Sequence, residues 1–296
     1  MSSNVSTNRT GVDWTKISAW MNSIGLPPAD IQAIEPLSGG TQNLMFRFQR
    51  AGRSYVLRRP PLHKRAKSDD AMRREIRLLQ ALADQPVPHP RLVAANADVE
   101  LIGAVFYVME AIDGFNALNG MPDLHRGSAA IRHQMGLAMV DGLAALGAVD
   151  AHAVGLGDLG NPANFLQRQP QRWLDELESY CGLSGYPRSE LPDVGPIAAW
   201  LTQKMPSQST PGLMHGDFHI ANVMFSNTGP ELAAIVDWEM CTLGDPLLDL
   251  GWMLATWPAL PPNKIVPDDG FPTKRELIER YASRSSRSLE DICWYE

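Results

Sequence analysis

The first third of the chain alternates between apolar and polar positions in the manner of a small β-sheet with helices beside it. The segment from Asp13 to Ile24 places its apolar residues on one face of a helix, with Asp13 as the N-cap. The pattern then shortens to apolar runs bounded by turn residues. These runs predict strands over Ile34–Ser38, Leu44–Gln49, Ser54–Arg58 and Val105–Glu110.

One predicted helix between these strands carries an acid in its apolar stripe. We expect Ser68 to cap it. Its stripe, at spacings i, i+3, i+4 and i+7, consists of Met72, Glu75, Ile76 and Leu79. A lone acid on an inward face is costly, and pairing with a cation removes that cost. Arg58 is the candidate partner of Glu75, with Arg59 as its rival; the alternative is that both partners simply lie at the surface.

The pattern becomes mainly helical after Asp113–Gly114, where we expect a hinge. Helices are predicted over 129–149, 171–180 and 195–204, and Thr273 with Glu276 forms a capping box for a helix reaching Ala282. The sequence therefore predicts a two-lobed α+β fold. Its parts are a polar tail with a leading helix (1–30), a small β-rich lobe (31–112) and a larger, mainly helical lobe (113–296).

Composition narrows the class of protein. The 296 residues are 44% hydrophobic and 20% charged, which is typical of a globular chain. No apolar stretch is long enough to span a bilayer, and the polar start MSSNVSTNRTG lacks the apolar segment of a secretory signal. The three cysteines are far apart and fit neither a disulfide framework nor a zinc site. We expect a cytoplasmic protein without a membrane partner.

Charge is distributed unevenly between the predicted lobes. Residues 1–112 carry 14 Lys and Arg against 10 Asp and Glu, a net +4, and residues 113–296 carry 12 against 23, a net −11. A basic first part favours polyphosphate, and an acidic second part suits Mg²⁺ or a cationic acceptor, although surface charges also scatter unevenly without functional cause. No Lys/Arg run with interleaved aromatic residues indicates nucleic-acid binding.

The segment Leu213–Leu250 carries the most specific chemistry in the chain. It contains six acids and no Lys or Arg. Asp217 and Asn222 lie in one short polar loop, and Asp237 follows the apolar strand predicted over Leu232–Val236. A base, an amide oxygen and a carboxylate on two loops flanking a hairpin are what a Mg-nucleotide kinase needs. Mg²⁺ prefers a few such oxygens together with phosphate oxygens.

These motifs resemble those of a known family. The Asp-x-x-x-x-Asn spacing matches the kinase catalytic loop H-R-D-x-x-x-x-N, with Gly216 in place of Arg. Together with VDWE and the later LGDPLLDL, it resembles the aminoglycoside phosphotransferase and choline kinase family. The stretch VGLGDLGNPANFLQRQPQRW is similar to a narrower subgroup, kinase-like proteins related to domains fused to acyl-CoA dehydrogenases. Members of the family continue with more helix where this sequence ends in an apolar patch, so we expect the native chain to extend further.

The resemblance implies a protein-kinase-like fold, with ATP and Mg²⁺ as cofactors. Asp217 would be the catalytic base or would orient the acceptor hydroxyl, and Asn222 and Asp237 would be the metal ligands. His215 and Asp249 would support the loop, and we expect Asp249 to accept hydrogen bonds from backbone N–H groups of residues 215–217.

The resemblance also implies a nucleotide site in the small lobe. Val56 would line the adenine site, and Arg58, paired with Glu75, would meet the phosphates where related kinases carry Lys. The backbone at Glu110 and Ala111 would bind adenine. Gly39, Gly40 and Thr41 would cover the nucleotide, although paired glycines are also common in plain hairpin turns.

The function expected from these residues is transfer of the ATP γ-phosphoryl group to a hydroxyl of a small molecule. The acceptor is either an aminoglycoside-like amino-alcohol or a hydroxyacyl compound. A nucleotide-binding, non-catalytic pseudokinase is the alternative. A metal-dependent phosphoester hydrolase is a third class, but it normally uses more His and Asp ligands than the sequence offers.

Overall fold

A computed structural model of the chain describes residues 11–37, 43–183, 185–187, 190–257 and 269–296. It divides into two units, Met1–Asp113 and Gly114–Glu296. In the part of the chain so described, no helix combines the length and the apolar character needed to cross a membrane.

The first unit is built on a five-stranded antiparallel sheet with strand order β1-β2-β3-β5-β4. Its strands are β1 Gln32–Leu37, β2 Leu44–Arg50, β3 Arg53–Arg59, β4 Leu92–Asn96 and β5 Phe106–Glu110. Its helices are α1 Trp14–Ser23 and α2 Ser68–Leu82. The Asp13 carboxylate caps α1 by accepting from the N–H groups of Thr15 and Lys16, both at 3.1 Å, as the sequence predicts.

The two faces of β3 have different partners because successive side chains of a strand point to opposite faces. Leu57 lies in a core with Phe46 and Phe48 of β2 and with Trp14 of α1. Trp14 meets Phe46 edge to face, with ring centroids 5.7 Å apart. Arg58, the next residue, points to the other face and reaches α2.

Two details of this unit differ from the sequence prediction. Ser68 is the first helical residue of α2 rather than its N-cap, and its hydroxyl accepts from the backbone N–H of Arg65 at 3.0 Å. Strand β4, Leu92–Asn96, was not predicted from the sequence. Its five residues are all half-buried and lack the apolar–polar alternation of a strand with one buried face.

The second unit is mainly helical, as predicted. Its helices are α3 Asp123–Arg126, α4 Ala129–Gly147, α5 Phe165–Ser179, α6 Gly195–Gln203, α7 Leu247–Ala255, α8 Lys274–Arg284 and α9 Ile292–Tyr295. Its strands are β6 Gly114–Phe115, β7 Gly212–Met214, β8 Val223–Ser226, β9 Leu232–Ile235 and β10 Thr242–Gly244. Strands β6, β8 and β9 form one antiparallel sheet, and β7 pairs with β10.

Helix α4 is the central element of this unit and contacts α3, α7, α8, β7 and β9. Arg280 of α8 makes a bidentate pair with Asp141 of α4, at 2.7 and 2.6 Å. The capping box of Thr273 and Glu276 begins α8, as predicted. Strands β7 and β9, which lead into the two loops described below, therefore pack directly against α4.

Two helix starts in this unit differ from the prediction. Helix α5 begins at Phe165, before the predicted residue 171, and so contains Pro170, although proline lacks an N–H donor for the helix. At α7 we expected Asp245 to be the cap and Pro246 the first helical residue, because proline suits that position, but Pro246 is the N-cap residue. The Asp245 carboxylate still accepts from the N–H of Leu247 at 3.0 Å.

Candidate functional site

Two loops of the second unit meet at the amino and carboxyl ends of the β8–β9 hairpin. One loop runs from the end of β7 to Asn222, and the other begins at Val236 after β9. The Val236 N–H donates to the Asn222 carbonyl oxygen at 2.9 Å. The Val236 carbonyl oxygen lies 2.9 Å from His215 Nε2. Val236 thus joins the loop of Asp217 to the loop of Asp237.

His215 is fully buried, and its contacts are those of a residue that supports the loop. Its Nδ1 lies 3.3 Å from the Asp217 backbone N–H, so Nδ1 accepts and Nε2 carries the proton donated to Val236. The ring packs against Phe218 and Trp238. Burial lowers the pKa of His215, so the ring is neutral. A buried neutral ring with both nitrogens hydrogen-bonded to the backbone holds the two loops together and is not available as an acid or base.

Asp249 of α7 binds the backbone of the loop that carries His215 and Asp217. It is 1% exposed, and its carboxylate accepts from the backbone N–H groups of His215 at 2.6 Å and Gly216 at 2.8 Å. These are hydrogen bonds expected from the sequence. Burial raises the pKa of Asp249 to about 7, while the two N–H donors oppose that rise.

Gly216 occupies a position that other residues fit poorly. Its φ is +88°, and a Cβ there would lie 2.6 Å from the Met240 carbonyl oxygen. The related kinase loops carry Arg at this point, and Gly216 lets the loop pass directly beside the backbone of the second loop.

The Asp217 carboxylate is held by three side chains and remains 37% exposed. Its Oδ1 accepts from Trp252 Nε1 at 3.0 Å and lies 3.4 Å from His219 Nε2, and its Oδ2 accepts from Asn222 Nδ2 at 2.9 Å. The His219 ring lowers the pKa of Asp217 despite partial burial, and Trp252 and Asn222 contribute in the same direction. The group is therefore an oriented, ionised carboxylate at neutral pH.

Asn222 and Asp237 present oxygen atoms on the two joined loops. Asn222 Nδ2 also donates to the Asp217 carbonyl oxygen at 2.9 Å, so the amide nitrogen faces Asp217 and the amide oxygen faces away. Asp237 has left-handed backbone angles, with φ 66° and ψ 62°. Such angles are uncommon outside glycine and concentrate at functional sites.

The first unit contains the predicted ion pair between β3 and α2. Arg58 Nε lies 3.2 Å from Glu75 Oε2, and the two side chains are 8% and 5% exposed. The rival Arg59 points to the other face of the sheet, where it donates to the carbonyl oxygens of Pro60 and Gly11. Its pKa is lowered by burial. Arg58, and not Arg59, is thus the partner of Glu75.

The other residues expected at a nucleotide site are Val56, the backbone at Glu110 and Ala111, and the glycine loop. Val56 is buried on β3, opposite Met109 of β5. The N–H groups of Glu110 and Ala111 donate to the carbonyl oxygens of Arg91 and Ser54, at 2.9 and 3.1 Å. These two N–H groups are therefore engaged within the first unit, and the adenine contact expected of this backbone stays a prediction. Gly39, Gly40 and Thr41 lie outside the described residues.

Sequence reasoning missed two residues that support the second unit's loops. Trp252 reaches Asp217 from α7, and only its spacing of three residues after Asp249 could have suggested a shared helix face. Asn116 donates to the carbonyl oxygens of Ala221 and Val223, the latter at 3.1 Å. No sequence signal identifies Asn116, since its partners lie more than a hundred residues away.

Curated relatives match most of this chain but are much longer proteins. Acyl-CoA dehydrogenase family member 11 of Rattus norvegicus is 29% identical over 288 residues, covering 92% of this chain and 35% of the relative. The probable acyl-CoA dehydrogenase IBR3 of Arabidopsis thaliana is 32% identical over 203 residues, 67% of this chain and 24% of the relative. The chain thus spans about a third or less of these relatives.

Solved structures share the fold. A putative aminoglycoside phosphotransferase from Ralstonia eutropha aligns with a TM-score of 0.76 at 29% identity, covering 96% of this chain and 84% of that one. Aminoglycoside-3'-phosphotransferase of type VIII aligns with a TM-score of 0.59 at 18% identity, covering 95% and 96%. The two-unit α+β fold is therefore the kinase-like fold of these enzymes, as predicted.

The family is shown by a match over most of the chain. The profile described as "Phosphotransferase enzyme family" matches residues 33–270, which include both the Arg58–Glu75 pair and the Asp217 loop. This chain belongs to the phosphotransferase enzyme family.

Proposed function

We propose that this protein is an ATP- and Mg²⁺-dependent kinase of a small-molecule alcohol. The observation that carries the proposal is the Asp217 carboxylate, oriented by Asn222 at 2.9 Å and joined through Val236 to the loop of Asp237. An oriented carboxylate beside two oxygen ligands meets the needs of phosphoryl transfer, which depends mainly on positioning and on charge stabilisation.

Asp217 would receive the acceptor. The acceptor oxygen attacks the γ-phosphorus, the bond from that phosphorus to the β–γ bridging oxygen breaks, and ADP leaves. The hydroxyl proton passes to the Asp217 carboxylate. Because the transition state of such transfers is loose, orientation of the hydroxyl matters more than early removal of its proton. Asp217 Oδ2, which accepts only from Asn222 among the described residues, is the oxygen available to the hydroxyl.

The donor set fits Mg²⁺. The amide nitrogen of Asn222 donates to Asp217, which leaves the amide oxygen of Asn222 to bind the metal. Asp237 would supply a carboxylate as the second ligand. No cluster of three or more His, Cys, Asp or Glu side chains suited to a metal occurs in the described ranges. Two protein oxygens suit Mg²⁺, which completes its shell with phosphate oxygens and water. When bound, the ion would neutralise phosphate charge.

The nucleotide would bind the first unit. Arg58, held by Glu75, presents a guanidinium whose fork suits phosphate oxygens. Val56 would contact the adenine ring, and Gly39, Gly40 and Thr41 would cover the phosphates. Since the N–H groups of Glu110 and Ala111 are occupied, any adenine hydrogen bond from these residues would use their carbonyl oxygens.

The acceptor would be a small molecule with a free hydroxyl. One solved relative is a complex of an aminoglycoside 2"-phosphotransferase with GDP and kanamycin, which supports an amino-alcohol. The acyl-CoA dehydrogenase relatives support a hydroxyacyl compound instead. The net −11 of residues 113–296 favours a cationic acceptor, whereas the acyl-CoA dehydrogenase relatives favour an anionic one, so the acceptor panel must contain both classes.

The test is ADP release from Mg-ATP across amino sugars, choline-like alcohols, hydroxy acids and their CoA esters. One class should stimulate ADP release, and Asp217→Asn should lower that turnover by about 10²–10⁴-fold while Mg-ATP affinity stays nearly constant. Asp150→Asn, an exposed turn carboxylate outside the site, is the matched control.

A second function, the non-catalytic pseudokinase, rests on Arg58 standing where related kinases carry Lys. It predicts Mg-ATP binding without acceptor-dependent ADP release from any class. Loss of binding in Asp217→Asn with retained turnover would instead overturn the role assigned to Asp217.

A further inference from the structure

Trp252 lies on the exposed side of α7. Its neighbours in sequence, Gly251 and Met253, are buried, whereas Leu248 and Ala255 on its own side of the helix are half-buried and exposed. Trp252 remains 46% exposed. Burying a large aromatic side chain is favourable, so leaving it half-exposed calls for a cause other than core packing.

The indole N–H of Trp252 provides that cause, because it donates to Asp217 Oδ1 at 3.0 Å. Asp249 and Trp252 are three residues apart and therefore lie on one face of α7. Asp249 binds the backbone of the loop at His215 and Gly216, and Trp252 binds the carboxylate of Asp217 in the same loop. Helix α7 thus positions both the backbone and the Asp217 side chain of the loop.

His219 completes the arrangement from within the loop. Its Nδ1 lies 3.4 Å from the Ala221 backbone N–H and accepts from it, which leaves the proton on Nε2, facing Asp217 Oδ1. The His219 ring also stands edge-on to the Trp252 ring, with centroids 6.3 Å apart. Oδ1 therefore faces two ring N–H groups, while Oδ2 accepts only from Asn222 among the described residues.

We propose that Trp252 is a positioning residue of the phosphotransferase site, whose indole N–H holds Asp217 Oδ1 so that Oδ2 faces the acceptor hydroxyl. The inference rests on the proposed function for its catalytic consequence, and on geometry alone for the contact. Without the indole N–H, the carboxylate would be held only by Asn222 and His219 and would present the wrong oxygen or the wrong lone pair for part of the time. Fixing it lowers the cost of reaching the reactive geometry.

The kinetic test uses two variants that remove the donor differently. Trp252→Phe removes the N–H and part of the ring, and replacement of Trp252 by benzothienylalanine removes the N–H while keeping the ring's shape. Each should lower kcat about tenfold or more, the effect of one hydrogen bond to a charged group, with an unchanged KM for ATP and unchanged Tm. Trp173→Phe, at an exposed tryptophan on α5, is the control and should leave kcat unchanged.

A second measurement reads the contact without turnover. The indole ¹H–¹⁵N resonance of Trp252, identified by its loss in Trp252→Phe, should shift in Asp217→Ala. The Trp173 indole resonance should stay in place.

The outcomes separate this inference from the proposed function. If the wild-type protein turns over but the benzothienylalanine protein keeps full kcat, the positioning role is wrong. If no acceptor stimulates ADP release, the proposed function fails, and the resonance alone decides the contact. A resonance that shifts in Asp217→Ala supports it, and an unmoved one overturns it.

Discussion

The buried carboxylate of Asp249 accepts a hydrogen bond from the backbone N–H of His215 at 2.6 Å, across 34 positions of sequence. A second N–H, that of Gly216, binds the other carboxylate oxygen at 2.8 Å. The loop that carries Asp217 is thus anchored through its backbone to α7, and its geometry depends on a side chain that touches neither nucleotide nor acceptor in our proposal.

Removing this anchor should destabilise the fold. Asp249→Ala leaves two buried N–H donors without a partner, so the free energy of unfolding should fall by about 2–5 kcal/mol. Asp249→Asn keeps one acceptor and should cost less. Urea unfolding measures both. Asp150→Ala is the control, because Asp150 also accepts from two backbone N–H groups but at an exposed turn. Equal losses at the two sites would contradict the importance of burial.

Replacing Asp237 should weaken nucleotide binding through the metal. Asp237→Ala removes a proposed Mg²⁺ ligand, so Mg-ATP affinity should fall about tenfold or more, equivalent to ~1.4 kcal/mol, and turnover should fall with it. Raising Mg²⁺ should recover part of the loss. Calorimetric titration at several Mg²⁺ concentrations measures this, with Glu231→Ala on the same hairpin as control. An affinity and Mg²⁺ dependence equal to wild type would rule out a ligand role.

Arg58 and Glu75 should be strongly coupled. Each single replacement leaves a buried charge unpaired and should cost about 3–5 kcal/mol, whereas the double variant Arg58→Met/Glu75→Leu should lose less than the sum. Arg58→Lys should retain much of the proposed phosphate contact. A double-mutant cycle on unfolding and on Mg-ATP affinity measures the coupling.

The exposed Arg275–Glu279 pair of α8 is the matched control for that cycle. Its Nε–Oε1 distance is 2.7 Å, yet its side chains are 87% and 60% exposed, so solvent screens the pair and its coupling should be far weaker than that of the buried pair. Additivity at Arg58 and Glu75 would show that the buried pair contributes no interaction energy.

The capping box of α8 should make the thermal stability of the fold depend on pH in the acidic range. The backbone N–H of Thr273 holds the pKa of Glu276 at about 2, below the ordinary value of 4.5. Because the folded pKa is lowered, this stabilisation is complete above pH 4.5 and is lost as the pH falls toward 2. The Tm advantage of wild type over Glu276→Gln should therefore shrink across that window. A constant difference between wild type and Glu276→Gln across that window would contradict the assignment.

Local patterns in the sequence determined the elements whose signals lie within a few residues. The Asp13 cap, the apolar stripe of α2 and the Thr273–Glu276 capping box are spacings of two to four residues, and the structure contains each of those contacts or faces. The Asp217–Asn222 spacing is of the same kind, since one short loop fixes both side chains. Period and spacing suffice where the chain itself sets the distance.

Tertiary structure decided the contacts between residues that the chain does not bring together by spacing. The contact of Trp252 with Asp217 spans 35 positions, and the bonds of Asn116 span more than a hundred. The choice between Arg58 and Arg59 depended on which sheet face α2 covers. Strand β4 and the occupied N–H groups of Glu110 and Ala111 depended on register in the sheet. Such features arise from packing of distant segments, which a single sequence encodes only through the whole fold.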